Sequence, residues 1–267
     1  MYEFGFIGTG SMGGALAQAV CAGAGADRVI LANRSPEKAE RLAAKLGCAV
    51  GGNEKIARAA KFIFLGVKPQ MLAGLLEGLA PALAARTEPY VLVSMAAGAS
   101  MARIAAMAGG ADCPVIRLMP NTPAAVGQGV VLYDCNERVS EADRLRLTDA
   151  LAPAGLVERI AERLIDAASA VSGCGPAFCD LFLEALADGA VACGLPRAAA
   201  LRCAAQMMLG SAKLALDSGS HPGALKDAVC SPGGSTIQGV RALEQGGFRG
   251  TVMEAVIAAY ERTLELG

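Results

Sequence analysis

Glu3-Phe4-Gly5-Phe6-Ile7 runs directly into Gly8-Thr9-Gly10-Ser11-Met12-Gly13 and then into Gly14–Ala24, an alanine-rich stretch with helical spacing. This is G-x-G-x-x-G in the strand–turn–helix setting that gives the pattern its meaning. The first glycine permits the tight turn, the second lets the main chain approach a pyrophosphate, and the third lets helix and strand pack closely. The helix start then offers free N–H groups and a partial positive charge to phosphate. A glycine turn that serves packing alone has the same pattern. The strand before it and the helix after it favour a dinucleotide.

An NAD site places Asp or Glu about 20 residues beyond the glycines, on the ribose 2′-hydroxyl. Here that position is Asn33, in Ala32-Asn33-Arg34-Ser35. No acid repels a 2′-phosphate, Arg34 can pair with one and Ser35 can hydrogen-bond it. The expected cofactor is NADPH, with NADH as the alternative donor. The competing reading leaves Arg34 as a solvated loop residue.

Outward from this turn, short apolar runs alternate with amphipathic segments as far as residue 160. The predicted strands are Glu3–Ile7, Val29–Ala32, Phe62–Val67, Tyr90–Ser94, Val115–Met119, Val130–Tyr133 and Leu156–Arg159, with helices such as Ser11–Ala24, Pro36–Leu46 and Met101–Ala108 between them. That rhythm indicates an α/β domain with a mostly parallel sheet covered on both faces, the Rossmann arrangement. Beyond Ala161 the strands stop. Helical stretches follow at Pro176–Cys193, Pro196–Asp217, Gly234–Glu244 and Thr251–Glu265, punctuated by Gly194-Leu195-Pro196 and His221-Pro222-Gly223. The expected organisation is a nucleotide-binding domain over residues 1–162 and an all-α domain over 163–267.

The 267 residues are 54% hydrophobic and 18% charged, enough for a sizeable core. A formal charge of −1 gives no electrostatic reason to expect nucleic acid or an anionic membrane as partner. Mean hydropathy is +0.42. No apolar run is expected to reach the roughly 20 residues a membrane span needs. The apolar surplus is instead assigned to alanine-rich helices and to surface buried between subunits. The first residues lack a basic segment and a cleavage site, and are expected to form a strand rather than a signal peptide. Nine cysteines, an odd number with no C-x-x-C pair, fit buried free thiols in a reducing cytoplasm. The single histidine, His221, has no Cys or His at ligand spacing, so no metal site is expected.

Two loops follow strands where a nicotinamide would lie, Gly66-Val67-Lys68-Pro69-Gln70 and Ser94-Met95-Ala96-Ala97-Gly98. Their small residues suit a cofactor wall or ordinary turns. Lys68 fits a structural or phosphate-side role better than proton donation, because Pro69 fixes the loop. In the helical half, Val171-Ser172-Gly173-Cys174-Gly175-Pro176-Ala177 and Ser231-Pro232-Gly233-Gly234-Ser235-Thr236 each precede a helix. The second suits either a nest of main-chain N–H groups that holds a carboxylate or a simple helix cap.

These segments, with Arg117-Leu118-Met119-Pro120-Asn121-Thr122-Pro123-Ala124, Asp188–Pro196 and His221–Glu244, occur in an order that resembles the pyrroline-5-carboxylate reductases along essentially the whole chain. The stretch Asp227–Ile237 is similar to that family's signature. The resemblance implies a Rossmann domain followed by a helical dimerisation domain. In that family the helices of two subunits intertwine, and the active site lies between the nucleotide and the dimer's helices. Some members assemble five dimers into a decamer. By position, Ile7, Gly8, Thr9, Gly10, Ser11, Met12, Gly13, Asn33, Arg34, Ser35, Asn53, Val67, Lys68, Pro69, Met95, Ala96 and Ala97 are expected at the cofactor. Ser231, Gly233, Gly234, Ser235 and Thr236 are expected at the substrate carboxylate and ring. Cys174 and Cys230 stand where relatives carry small hydroxyl residues, and Gly219 where some carry an acid.

The implied reaction reduces 1-pyrroline-5-carboxylate to L-proline with NADPH. Such chemistry asks for alignment and a held carboxylate rather than a metal or an acid dyad. Thr236 is the expected catalytic side chain, donating its hydroxyl hydrogen bond to the substrate; its alternative role is to cap the following helix. Two other readings compete: a β-hydroxyacid dehydrogenase with Lys213 as its lysine, and a non-catalytic NADPH sensor.

Overall fold

The computed structural model describes residues 2–110 and 112–266. It divides into two compact units, Met1–Cys174 with Ala259–Gly267, and Gly175–Ala258. In the first, strands and helices alternate: β1 (Tyr2–Ile7), α1 (Ser11–Ala24), β2 (Val29–Ala32), α2 (Pro36–Leu46), β3 (Ala49–Val50), α3 (Asn53–Ala59), β4 (Ala60–Leu65), α4 (Pro69–Ala84), β5 (Val91–Ser94), α5 (Met101–Met107), β6 (Val115–Pro120), β7 (Gly129–Cys135), α6 (Glu141–Leu151), β8 (Gly155–Arg159) and α7 (Glu162–Ser172). The sheet order is β3-β2-β1-β4-β5-β6-β7-β8, and β6 and β7 form its antiparallel pair. This is the mostly parallel sheet that the alternating pattern predicts.

The strands are apolar on both faces because helices cover both. Phe4 and Phe6 point to one face and pair in register with Phe62 and Phe64. Their rings stack at centroid distances of 5.2 and 4.1 Å. Leu16 and Val20 of α1 pack in the same cluster. Ile7, Ile63 and Leu65 point to the other face, against Ile56, Leu72 and Leu76. Truncating one of these buried rings to Ala would cost about 3–5 kcal/mol. Chain order reverses at β1, which lies between β2 and β4, so the carboxyl ends of β1 and β4 frame a crevice of the kind that takes ligands in open α/β sheets.

The second unit contains α8 (Gly175–Ala192), α9 (Arg197–Ser218), α10 (Pro222–Ala228), α11 (Ser235–Gln245) and most of α12 (Phe248–Leu266). Among its described residues only Ala187, Ala200 and Ala204 are buried. Leu181, Met207, Leu209, Leu214 and Met253 all lie exposed. Helices with so little interior do not stand alone in water.

Several expectations need correction. The fourth strand ends at Leu65, not Val67, because Gly66 turns the chain and Pro69 opens α4 at its first helical position. The span Glu162–Ala192 has 31 residues and contains an 18-residue stretch of mean hydropathy 1.3, long and apolar enough by length and composition to cross a membrane. Only Gly173 and Cys174 separate α7 from α8 in the chain, so the helical span outruns either apolar run. The cysteines are free, but of the nine only Cys113 is buried; Cys179, Cys193 and Cys203 are exposed on α8, α9 and the turn between them. Their apolar neighbours face outward rather than into a core.

Candidate active site

The glycine turn sits at the β1–β4 crevice. Gly8 has φ +101, and a Cβ there would run into the Gly66 carbonyl, so the turns after β1 and β4 meet main chain to main chain. A Cβ on Gly13 would run into the Gly8 carbonyl oxygen. A Cβ on Gly10 would meet nothing within 4 Å. Gly10 caps α1 without any side-chain hydrogen bond, so the amides of the first helical turn remain free. Thr9 Oγ1 is buried and has no hydrogen-bond partner among the described residues. An open glycine, free amides and an orphaned hydroxyl at one helix N-terminus suit a dinucleotide pyrophosphate.

A cleft of about 1210 Å³ opens from this turn. Of the expected cofactor residues, Ile7, Gly8, Gly10, Asn33, Arg34, Ser35, Asn53, Val67 and Lys68 line it. Thr9 and Ser11 line an adjoining trough over α1 and α2, where Gly10 continues. Met12 is partly buried in the first turn of α1 and Gly13 is buried against Gly8. Pro69 begins α4. Met95, Ala96 and Ala97 lie in the loop after β5; Ala96 is buried, and its amide donates to Ser94 Oγ at 3.3 Å.

Asn33 has a role that its position alone did not reveal. Its Oδ1 accepts the Thr9 amide at 3.1 Å and its Nδ2 donates to the Ser35 carbonyl at 3.1 Å. It braces the glycine turn against the Arg34–Ser35 loop. Arg34 is exposed at the cleft, and Lys38 lines it one helical turn into α2. Lys38 is missing from the expected set, although the Arg34/Lys38 spacing of four was a readable signal.

In the second unit, Ser231–Thr236 forms the turn into α11. Gly233 has φ +70, and the Gly234 amide donates to the Ser231 carbonyl at 3.0 Å. The helix begins at Ser235 with Gly234 as its cap, and no side chain caps it. Capping is therefore not what occupies the Thr236 hydroxyl. The Ser231, Ser235 and Thr236 hydroxyls make no hydrogen bond among the described residues, and the amides of Ser235, Thr236 and Ile237 have no partner within the helix. Main-chain N–H groups and three hydroxyls thus gather at one helix start, an arrangement suited to a carboxylate.

The remaining sequence candidates have local duties. His221 caps α10, its Nδ1 accepting the Gly223 amide at 3.0 Å. Gly219 closes α9. Cys174 follows α7, with its amide on the Ser169 carbonyl at 3.1 Å, and Cys230 follows α10, with its amide on the Asp227 carbonyl at 3.0 Å. Lys213 pairs with Asp217 at 2.6 Å on an exposed face of α9, which is poor support for a catalytic lysine there. Asn121, buried at the end of β6, donates to the Ser172 carbonyl at 2.9 Å and accepts the Val130 amide at 2.8 Å.

Fold and site together define a dinucleotide-dependent oxidoreductase with a Rossmann unit and a separate helical unit. A family model described as NADP oxidoreductase, coenzyme F420-dependent, matches residues 3–98, and one described as pyrroline-5-carboxylate reductase dimerisation matches residues 162–266. The pyrroline-5-carboxylate reductase of pea is 40% identical over 99% of this chain and 96% of its own length. That of Escherichia coli is 39% identical over 99% and 98%. The crystal structure of a Plasmodium falciparum pyrroline carboxylate reductase with NADP bound aligns at a TM-score of 0.88 and 32% identity, covering 100% of this chain and 98% of that one. The chain belongs to the pyrroline-5-carboxylate reductase family.

Proposed function

We propose that this protein reduces 1-pyrroline-5-carboxylate to L-proline by hydride transfer from NADPH, the last step of proline biosynthesis. The observation that carries the reading is that the likeness to these reductases runs through the whole chain, nucleotide turn and Ser231–Thr236 segment alike. The cofactor supplies the hydride that forms the new C–H bond at the imine carbon. The chain supplies binding and orientation. The first turn of α1 and Thr9 hold the pyrophosphate, and Arg34, Ser35 and Lys38 hold the 2′-phosphate and favour NADPH over NADH. The amides at the start of α11 hold the carboxylate. Thr236 Oγ1 donates a hydrogen bond to the substrate and helps keep the proton on the ring nitrogen during transfer.

The protein works as a homo-oligomer. The second unit buries three alanines and leaves long apolar faces open, and the dimerisation model spans residues 162–266. A second copy accounts for the apolar Glu162–Ala192 span in place of a membrane. Light scattering separates a dimer from a decamer of five dimers; a monomer at working concentration would remove the oligomer. Nine free thiols support a cytoplasmic setting.

The activity is tested by following NADPH oxidation with 1-pyrroline-5-carboxylate, repeated with NADH and with the six-membered cyclic imine. Turnover to proline is expected, faster with NADPH. Tight NADPH binding without turnover on any imine would favour a sensor instead.

A further inference from the structure

The loop after β5 is held at both ends. At its start the buried Ser94 hydroxyl accepts the Ala96 amide at 3.3 Å. At its end the Met101 amide, the first N–H of α5, donates to Glu162 Oε1 at 2.6 Å. Helix α5 already has a local cap, since the Ser100 hydroxyl accepts the Arg103 amide at 3.2 Å. The Glu162 contact reaches across 61 residues and is not needed to start that helix.

Glu162 is itself fixed from several sides. Its amide donates to Asp134 Oδ2 at 2.8 Å, and Asp134 Oδ1 accepts Arg159 Nε at 3.0 Å. The Arg117 guanidinium stands 3.9 Å from Glu162 Oε1 and bonds Asp166 Oδ1 at 2.5 Å. Arg117 is only 3% exposed. The buried guanidinium faces these carboxylates through Nη1 and Nη2, while its Nε has no partner among the described residues. The loop they anchor reaches the glycine turns: Met95 Cε lies 3.1 Å from the place a Cβ on Gly66 would take.

We propose that Glu162 is a positioning residue for hydride transfer: by holding the Met101 amide it fixes the Met95–Ser100 loop against which the nicotinamide rests. This builds on the reading of Met95–Ala97 as the nicotinamide wall. The phosphate and adenosine contacts come from Gly8–Gly13 and Asn33–Lys38. Releasing one end of the loop leaves them in place and loses the alignment on which transfer depends.

Steady-state kinetics of the full-length protein test this. Glu162→Ala is expected to lower kcat about tenfold or more, raise the primary isotope effect with 4-deuterated NADPH and leave the Ki of 2′,5′-ADP within about twofold. Glu162→Gln keeps an oxygen that accepts the Met101 amide, and is expected to retain kcat within about threefold. A purely structural role would lower Tm in both variants and kcat in neither. Full kcat in folded Glu162→Ala overturns the proposal. If that variant does not fold, Met101→Pro against Met101→Ala isolates the same bond. Proline suits the first helical position after the extended Ser100 but has no N–H. A kcat for Met101→Pro about tenfold below Met101→Ala supports the proposal, and equal values overturn it. Ala97→Leu separates it from the reading beneath. Unchanged NADPH kinetics in Ala97→Leu would remove the nicotinamide wall, and the proposal with it. Crippled turnover in Ala97→Leu beside a normal Glu162→Ala would remove Glu162 alone.

Discussion

Asn33 Oδ1 accepts the Thr9 amide at 3.1 Å, so the residue standing where an NAD enzyme carries its acid is a brace between the glycine turn and the Arg34–Ser35 loop. Asn33→Asp keeps an acceptor for Thr9 but gives up the donor to the Ser35 carbonyl and places a negative charge beside Arg34. Its kcat/KM ratio for NADPH over NADH is expected to fall about tenfold or more, equivalent to about 1.4 kcal/mol. An unchanged ratio would mean that the 2′-phosphate lies elsewhere.

Arg34 and Lys38 are expected to share the 2′-phosphate. Arg34→Ala should raise the KM for NADPH about tenfold, and the double variant with Lys38→Ala about a hundredfold, while the KM for NADH changes little. Parallel losses with both cofactors would contradict this.

Two of the motif glycines should fail in different ways. Gly13→Ala drives a Cβ into the Gly8 carbonyl, backbone that cannot give way, and should cost roughly 1–3 kcal/mol of stability. Gly10→Ala meets no protein atom within 4 Å. It should melt normally and yet lose NADPH affinity, since its methyl fills the pyrophosphate cradle. Calorimetry and cofactor titration on the two variants check the contrast. Normal NADPH affinity in Gly10→Ala would place the pyrophosphate elsewhere.

Glu3 ties β1 to α6. Its carboxylate takes Arg146 Nε and Nη2 at 2.6 Å each and Arg28 Nη1 at 3.0 Å. The Arg146 hydrogen bonds hold its pKa below the ordinary carboxylate value, against an opposing push from burial. A depressed folded pKa contributes stability that is full at neutral pH and is lost as the pH falls below 4.5 toward the folded value. Glu3→Gln should therefore cost about 1 kcal/mol at pH 7, after solvent screening of this partly exposed group, and progressively less under acid. Urea melts at the two pH values measure it; a penalty that grows in acid would contradict the assignment.

The first half of the fold was legible because its pattern is local. The apolar strands and Gly8–Gly13 identify a parallel sheet and its ligand edge, and Ser11–Ala24 and Pro36–Leu46 are helices with those bounds. Local pattern fails where contacts decide. Strand β3 is two residues long and takes its identity from pairing with Ile30 and Leu31. The antiparallel setting of β7 has no mark in its apolar run. Helix α4 runs through Pro81, a residue type that ordinarily interrupts a helix. At the site, the glycines and Arg34 were readable. The Asn33 brace, and Glu162 holding a loop 61 residues away, were not, because each is a contact made only on folding.

The proposed substrate grip rests on the amides and hydroxyls that open α11. The most direct measurement is kcat/KM for 1-pyrroline-5-carboxylate in Thr236→Ala beside the wild type, with Tm recorded for both. A loss of about tenfold or more at unchanged Tm is predicted. Wild-type kcat/KM in a normally stable Thr236→Ala would contradict it.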